Sequence, residues 1–330
     1  MITELKEEND VMLTTSNSNR RFIKDFQLPI PIYEPKYFDY YIDLFDEYFD
    51  TKRKYQVYLD LLAKLGGSEQ FFECSKAIQE QSISLIKNSL AYQDFIQDTQ
   101  EMFSGYKWRA SKVPTKQVYK ERNDRCYFLS IDLVKANYQA LKYYTRKIKH
   151  IPKSEQDIVL GTDTFQEFIS KFTEESYFKE AKKFRQIIFG NINPKRQQKI
   201  QKYLINHILA FLLDGNYFQE SDLRDYSSDE IVFEVDKSFD IHYIKNVLSK
   251  TFPDIDLHID KYQLILLNQH DVQPIFIRKF PDKIDFKSVE SSIMPQCIKH
   301  IKNMPLHDYD LMFYHSNGML ARYITPVKWE

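Results

Sequence analysis

Glycine and cysteine are both scarce in this sequence. Only 7 of its 330 residues are glycine, and neither GxGxxG nor GxxxxGKS/T occurs. The glycine-rich loops that hold phosphates in Rossmann and P-loop proteins depend on these patterns, so we expect neither kind of nucleotide site. The chain has 3 cysteines, too few for a disulfide framework, which favours a reducing, cytoplasmic location.

An excess of one charge and a long apolar run are also lacking. The 46 basic and 47 acidic residues leave a formal net charge of −1, so any affinity for nucleic acid must come from local clusters. No apolar stretch approaches the roughly 20 residues that cross a bilayer, and the polar, acidic start is unlike a signal peptide. We therefore expect no membrane association.

Aromatic residues are abundant, with 25 Phe and 23 Tyr. Hydrophobic residues make up 43% and charged residues 28%, as in globular proteins, which excludes a disordered or fibrous chain. The many Lys, Asn, Ile, Phe and Tyr residues are typical of an AT-rich genome, and we expect a viral or phage-like source. The length allows one large domain or two ordinary ones.

The pattern of apolar residues divides the chain into three parts. We expect residues 1–30 to form a mobile arm and residues 31–105 to be helical, because apolar side chains recur there at three- and four-residue steps. Residues 106–330 combine helices with short apolar runs typical of strands: CYFLSID, EIVFEV, IDLHI, YQLILL and PIFIRKF. The sequence thus predicts an α+β fold.

Two aspartates stand next to predicted strands. Asp132 closes the strand CYFLSID, and Asp229 precedes the strand EIVFEV. If these strands pair in one sheet, the carboxylates meet at its edge, where they can bind two Mg²⁺ (or Mn²⁺) ions for phosphoryl transfer. The alternative is that each aspartate merely caps the next element.

A basic segment lies between the two aspartates, from Lys179 to Lys202. On a helix, Lys182 and Arg185 share one face with Phe189. The two cations can grip a triphosphate, and the ring can pack on a base. The alternative is a solvated basic helix with Phe189 in the core.

A second basic cluster, Tyr106–Arg125, has aromatic residues interleaved with its cations. A further set of cations begins the helix predicted by Asn193 and Pro194, an N-cap followed by proline. Both sets suit a phosphate backbone. The residues expected to contact nucleic acid are Lys107, Trp108, Arg109, Lys112, Lys116, Lys195, Arg196 and Lys199.

Three segments follow one another along the chain: SIDLVKANYQAL (Ser130–Leu141), AKKFRQIIFGNIN (Ala181–Asn193) and SSDEIVFEV (Ser227–Val235). They resemble motifs A, B and C of family A nucleic-acid polymerases, the bacterial polymerase I class, which read DYSQIELR, R-x-x-x-K-x-x-x-F-G-x-x-Y and HDExxFEV. Motif C is the most specific match. The resemblance covers about a hundred residues of the chain.

The resemblance implies a nucleotidyl transferase of polymerase type that takes nucleoside triphosphates and nucleic acid, DNA or RNA. It implies a thumb-like helical region at 31–105 and a palm with an antiparallel sheet over 106–330. Only about 39 residues separate Gly190 from Asp229, so the helical fingers are reduced, to about 150–215. The end of the chain would form a C-terminal α+β extension.

The motif positions also imply roles for single residues. Asp132 and Asp229 would bind the metal ions, with help from the carbonyl of Leu133, and Glu230 is a nearby carboxylate of the catalytic group. Arg185 stands at the position of the motif B lysine.

Several motif positions differ from the family. Ser228 replaces the motif C histidine, and Ala181 replaces the first motif B arginine. Asn137 and Asn193 replace the glutamate and tyrosine that exclude ribonucleotides, so both are nucleotide-binding candidates and we expect weak sugar discrimination. Tyr138 would supply a ring there only if the strand end is shifted by one residue.

Two other functions stay open. Another palm enzyme, such as a nucleotide cyclase or a terminal nucleotidyl transferase, needs the same metal pair but no template groove. A catalytically degenerate polymerase would serve as a nucleic-acid-binding subunit. Cys297 and His300 form a C-x-x-H without a second cysteine pair, which argues against a zinc site, and no GxSxG motif supports acyl transfer.

Overall fold

The computed structural model of this chain describes residues 16–97, 103, 116–147, 161–268, 274–315 and 318–329. Residues 1–15 of the predicted arm lie outside the described residues. Most of the predicted basic aromatic strip does so as well, including Lys107, Trp108, Arg109 and Lys112.

The first described helix replaces part of the predicted mobile arm. Residues 16–26 form helix α1, and Phe22 within it is fully buried, with its ring stacked 5.7 Å from that of Tyr58. The prediction of an arm is therefore wrong from residue 16 onward. This short, mostly polar stretch has one apolar face, which is buried largely by rings of later helices such as Tyr58.

Four more helices follow, as the three- and four-residue periodicity predicted. Their ends obey local signals: Pro35 lies in the first turn of the first of them, Gly66 ends the second with φ 91°, and the Ser89 side chain caps the fourth. They are α2 (Pro35–Phe49), α3 (Thr51–Leu65), α4 (Ser68–Lys87) and α5 (Leu90–Ile96).

Five helices occupy the middle of the chain. They are α6 (Ala136–Lys147), α7 (Phe165–Ser170), α8 (Ser176–Glu180), α9 (Lys182–Gly190) and α10 (Pro194–Asp214). The predicted start of α10 is confirmed, because the side-chain oxygen of Asn193 accepts a hydrogen bond from the Arg196 N–H at 3.2 Å.

The N-terminal helices share a core with these middle helices. Tyr58 of α3 stacks on Tyr177 of α8 at 5.3 Å between ring centroids, and Phe71 of α4 stacks on Phe178 at 5.7 Å. One continuous apolar cluster includes all four rings. The helical region that the resemblance likened to a thumb therefore packs directly against the segment predicted as fingers.

Six strands form one antiparallel sheet in the order β2-β3-β1-β4-β5-β6. They are β1 (Tyr127–Leu133), β2 (Leu223–Tyr226), β3 (Glu230–Val235), β4 (Leu257–Asn268), β5 (Ile275–Lys279) and β6 (Ile284–Lys287). Helix α11 (Ile241–Thr251) joins β3 to β4. Strands β1 to β4 and their connecting helices have the β-α-β-β-α-β connectivity of a ferredoxin-like fold.

The two faces of this sheet differ in chemistry, because successive side chains of a strand point to opposite faces. Leu129, Ile131 and Leu133 of β1 are buried in the main core together with the helices. On the opposite face, Phe128 belongs to a small apolar cluster that Val118 helps to cover. Ser130 and Asp132 would follow on that face toward the end of β1.

The end of the chain packs on the N-terminal helices. It contains α12 (Met294–Ile301) and the paired strands β7 (Met312–Tyr314) and β8 (Leu320–Arg322). The Tyr41 hydroxyl of α2 donates to the Tyr309 carbonyl at 2.8 Å.

Together, the helices and the antiparallel sheet confirm the predicted α+β class and the predicted antiparallel sheet. In the part of the chain that the structure describes, no helix is both long and apolar enough to cross a membrane.

Candidate functional site

The strand pairing brings Asp132 and Asp229 to the same edge of the sheet. Asp132, the penultimate residue of β1, lies opposite Glu230 on β3 and opposite His258 on β4. The Leu133 N–H donates to the Asp229 carbonyl at 2.9 Å, so the turn between β2 and β3 is fastened to the end of β1. The backbone N–H of Leu133 is therefore engaged in holding the two strands together, whereas the prediction named the Leu133 carbonyl as a metal ligand.

Neighbouring side chains hold the two motif C carboxylates. The Ser227 hydroxyl donates to Asp229 Oδ1 at 3.0 Å. The Ser130 hydroxyl donates to Glu230 Oε1 at 2.6 Å, and Arg278 Nη1 lies 3.6 Å from the same oxygen. Glu230 is thus positioned by a hydroxyl and a guanidinium group.

A cavity of about 300 Å³ opens on this face of the sheet. Four carboxylates reach it, from Asp132, Glu230, Asp260 and Asp285. A concave site with several converging polar groups beside apolar walls is the usual setting for a ligand. Its apolar wall includes Tyr48, Phe49, Phe280 and Phe286.

Basic side chains lie beside three of the four carboxylates, since Arg278 approaches Glu230 as described above. Arg278 Nε donates to Asp285 at 3.0 Å. Asp260 lies 2.7 Å from His258 Nε2 and 3.5 Å from Lys283 Nζ. Asp132, by contrast, has no ion-pair partner among the residues that the structure describes.

The environment of Asp132 disfavours its charged form. Burial raises the pKa of Asp132 to about 7, and the negative charges of Glu230 and Asp229 act in the same direction. The positive charge of Arg278 opposes them. A carboxylate in such surroundings gains most from a bound cation, because the cation offsets both desolvation and like-charge repulsion.

The residues present fit Mg²⁺ only as an incomplete set of ligands. Over the described ranges, no group of three His, Cys, Asp or Glu side chains is arranged to hold a metal ion by itself. Mg²⁺ commonly takes only one or two carboxylates from the protein and completes its shell with water and substrate phosphates. Asp132 and Asp229 are the two carboxylates that would serve.

The cations predicted for the triphosphate lie on α9. The Arg185 guanidinium lies 5.7 Å from the centre of the Phe165 ring, and burial lowers the pKa of Arg185. Lys182, one turn earlier, is exposed. Neither side chain has a carboxylate partner within the described ranges.

Two residues predicted to contact the nucleotide have structural roles. Phe189 is 1% exposed, and its ring lies 6.1 Å from Tyr138 and 6.0 Å from Phe165, so no face of the ring is left for a base. Asn193 caps α10 as described above. Here the alternative interpretations, a core aromatic and a helix cap, match the structure.

The positions expected to control the sugar are also engaged. The Asn137 side-chain oxygen accepts a hydrogen bond from Gln201 Nε2 at 2.7 Å. Tyr138 is 2% exposed, and its hydroxyl donates to the Thr162 carbonyl at 2.9 Å. The Tyr138 ring therefore does not offer a substitute for the aromatic residue of the motif.

The cations expected to contact nucleic acid differ in their exposure to solvent. Lys116 and Lys195 are exposed, and Lys199 is partly exposed. Arg196 is only 7% exposed, with its guanidinium 5.7 Å from the centre of the Tyr144 ring. Burial against an aromatic ring makes Arg196 a packing residue and removes it from the predicted surface.

Sequence reasoning missed Ser130 and Arg278. Ser130 precedes Asp132 by two residues, so the alternation of a strand could have placed both on one face. Arg278 lies next to Lys279 at the end of an otherwise apolar strand, and its approach to Glu230 depends on the pairing of β5 with β4, which no local signal reveals.

Comparisons with known proteins add no relative. No protein-family model, curated protein or solved structure matches this chain.

Proposed function

We propose that this chain is a nucleotidyl transferase of polymerase type, which joins nucleoside triphosphates to a nucleic acid with two Mg²⁺ (or Mn²⁺) ions. The observation that carries the proposal is the pairing of β1 and β3. It places Glu230 opposite Asp132 and holds the backbone of Asp229 against the end of β1, which supports a site in which these carboxylates share one edge of the sheet. Among the described residues, Asp132 has no ion-pair partner to neutralise it.

The fold is compatible with this chemistry. An antiparallel sheet with helices on one face and a charged cavity on the other provides a rigid support for the carboxylates and room for a substrate. The order of the three motif segments along the chain supports the same assignment. In this proposal the sheet is the palm, and the middle helices are shortened fingers.

In the proposed reaction, a hydroxyl oxygen of the acceptor attacks the α-phosphorus of the triphosphate. A new P–O ester bond forms, the bond to the β-phosphate breaks, pyrophosphate leaves, and the hydroxyl proton passes to solvent. The metal ions, when bound, would activate the hydroxyl and stabilise the leaving oxygen. Asp132 and Asp229 would hold the metal ions. Glu230, which Ser130 and Arg278 keep in place, would add its negative charge to this edge of the sheet.

Cationic side chains would bind the remaining groups. Arg185 and Lys182 suit the phosphates of the nucleotide, because neither has a carboxylate partner in the described part of the chain. Lys116, Lys195 and Lys199 suit the backbone of the nucleic acid.

One group of observations favours a second function, a nucleic-acid-binding subunit without catalysis. Phe189, Asn193 and Asn137, all at motif positions, make intramolecular contacts. A polymerase that had lost nucleotide selection would use these positions for packing in this way.

Direct incubation distinguishes these functions. The protein is mixed with labelled dNTPs or NTPs, several primer-templates and Mg²⁺, and extension products are separated by size. Template-dependent extension that disappears in Asp132→Ala supports the polymerase. Template-independent addition indicates a terminal transferase, and release of a cyclic nucleotide indicates a cyclase. Nucleic-acid binding without any metal-dependent product supports the binding subunit.

The matched control is Asp236→Ala. Asp236 is exposed just beyond the opposite end of β3 from Asp229, so its removal changes the charge equally without touching the site. We expect it to retain wild-type extension. Equal activity in Asp132→Ala and Asp236→Ala would contradict the proposal.

A further inference from the structure

Two cations lie close together at the start of α6. Lys135 lies between the end of β1 and the first residue of α6, and Arg185 lies on α9. Both approach the same aromatic ring, since Lys135 Nζ lies 5.9 Å and the Arg185 guanidinium 5.7 Å from the centre of Phe165. The structure thus brings together a residue beside motif A and a residue of motif B.

Within the described part of the chain, no carboxylate neutralises either cation. Lys135 Nζ donates to the Gln166 amide oxygen, which is uncharged, and its other two N–H groups have no acceptor among the described residues. Arg185 has five N–H donors, and none has an acceptor among the described residues. No carboxylate there pairs with either side chain.

Two other buried cations of the chain, by contrast, are paired with carboxylates. Lys142, with a side chain that is 4% exposed, lies 2.9 Å from Asp256, and Arg278 is paired with Asp285. Burial lowers the pKa of Lys135 to about 8, and the charge of Arg185 acts in the same direction. Two adjacent, partly desolvated cations repel each other, and an anion between them would relieve this repulsion.

The pair is also close to the carboxylate edge. Lys135 is three residues after Asp132, so their Cα atoms are at most about 11 Å apart. The Asp132 carboxylate nonetheless does not pair with Lys135. The separation of unpaired cations from an unpaired carboxylate suits a ligand that carries a phosphate chain and a metal ion together.

We propose that Lys135 and Arg185 form a polyphosphate-binding site, with Lys135 as the partner of Arg185 contributed by the loop after β1. That the polyphosphate is the tail of a nucleoside triphosphate rests on the proposed function. The anion site itself rests only on the two side chains and their neighbours.

The test measures tripolyphosphate binding by the full chain without divalent metal, by calorimetry and thermal shift. Charge-assisted hydrogen bonds to phosphate predict that Lys135→Met and Arg185→Ala each raise the dissociation constant about 10- to 150-fold. Lys135→Arg should restore most of the affinity. Lys87→Met, at an exposed lysine that ends α4, should bind like the wild type.

Thermal unfolding without ligand separates binding from folding. Removal of one of two repelling cations should leave the melting temperature of Lys135→Met equal to or above that of the wild type, while the same concentration of tripolyphosphate raises it less. A Lys135→Met protein that gains as much stability from tripolyphosphate as the wild type would overturn the site.

A second ligand distinguishes the source of the phosphate. If Lys135→Met weakens a mixed-sequence single-stranded oligonucleotide but not tripolyphosphate, the cations contact a nucleic-acid backbone and the proposal is wrong. If tripolyphosphate binding is lost in Lys135→Met although the wild type forms no product, the polymerase function fails and the anion site stands. If the wild type extends primers and Lys135→Met binds tripolyphosphate normally, the anion site alone fails.

Discussion

Two regions near the end of β1 carry partly buried charges of opposite sign and differ in how far other side chains balance them. The acidic region, Asp132, Asp229 and Glu230, is partly balanced by Arg278, which lies 3.6 Å from Glu230. The cationic pair of Lys135 and Arg185 has no balancing carboxylate among the described residues. Although both regions lie close to the same strand end, they do not neutralise each other.

This difference indicates which kind of ligand each region would bind. Desolvated charges cost free energy unless they are paired, and a chain of net charge −1 has ample opposite charges to pair them. Charges that stay unpaired in both regions are therefore best explained by ligands of opposite sign. In the proposed function, a metal-bound nucleoside triphosphate would supply a cation to the acidic region and an anion to the cationic pair.

The largest expected effect on turnover comes from removing one carboxylate of the acidic region. Asp229→Ala removes one of the two proposed metal ligands, and we expect the loss of several kcal/mol of transition-state stabilisation to lower kcat by at least about 1000-fold. Single-turnover primer extension in Mg²⁺ measures this loss, with unfolding curves to show that the fold is intact. Near-wild-type turnover in Asp229→Ala would rule out the polymerase proposal.

A smaller effect concerns the free energy of unfolding, which the charged form of Asp132 lowers. Its pKa is about 7 in the folded protein against an ordinary value of 3.8, so between these pH values the folded chain keeps a proton that the unfolded chain releases. The free energy of unfolding therefore falls as pH rises from about 4 to about 7. Asp132→Asn should be more stable than the wild type at about pH 8 by about 2–4 kcal/mol.

Urea unfolding in the presence of a chelator measures this difference. It should become small near pH 4, where the carboxyl stays protonated in the folded chain and begins to take up a proton in the unfolded chain as well. Asp236→Asn, at an exposed carboxylate outside the site, is the matched control. Mg²⁺ should reduce the difference at about pH 8, because only the wild type has the carboxylate that binds it. A difference that is constant across this pH range would contradict the assigned environment of Asp132.

Much of the fold was accessible from the sequence because its signals are local. The periodicity of α2 to α5 and the Asn193-Pro194 start of α10 need no tertiary information. The failures are tertiary. The mobile-arm prediction missed α1, whose Phe22 is buried by the distant Tyr58, and IDLHI and YQLILL form the single strand β4. Asp260 and Lys261 interrupt its apolar pattern because Asp260 faces the charged cavity.

The candidate site divides in the same way. Asp132 and Asp229 stand at strand ends that the sequence marks, so their proximity follows once the strands pair. The partnership of Lys135 with Arg185 requires the packing of α9 against Phe165, and the contact of Arg278 with Glu230 requires the order of the sheet. Phe189 shows the reverse, since a motif position can become core when neighbouring helices cover it.

The smallest expected effect lies next to the cationic pair, at the sugar of the nucleotide. Asn137 stands where the resembled family has a glutamate, and Gln201 Nε2 donates to its side-chain oxygen at 2.7 Å. We expect the wild type to use NTPs measurably beside dNTPs. Asn137→Glu places a longer side chain near the 2′-OH, and Gln201 can hold the new carboxylate. One altered hydrogen bond near the sugar predicts a rise of about 2- to 10-fold in the preference for dNTPs, read as the ratio of kcat/KM values. Tyr138→Phe is the matched control, because it removes only a buried hydroxyl and should leave the ratio unchanged. A wild type that strongly selects dNTPs, with a ratio that Asn137→Glu does not move, would show that Asn137 does not face the sugar.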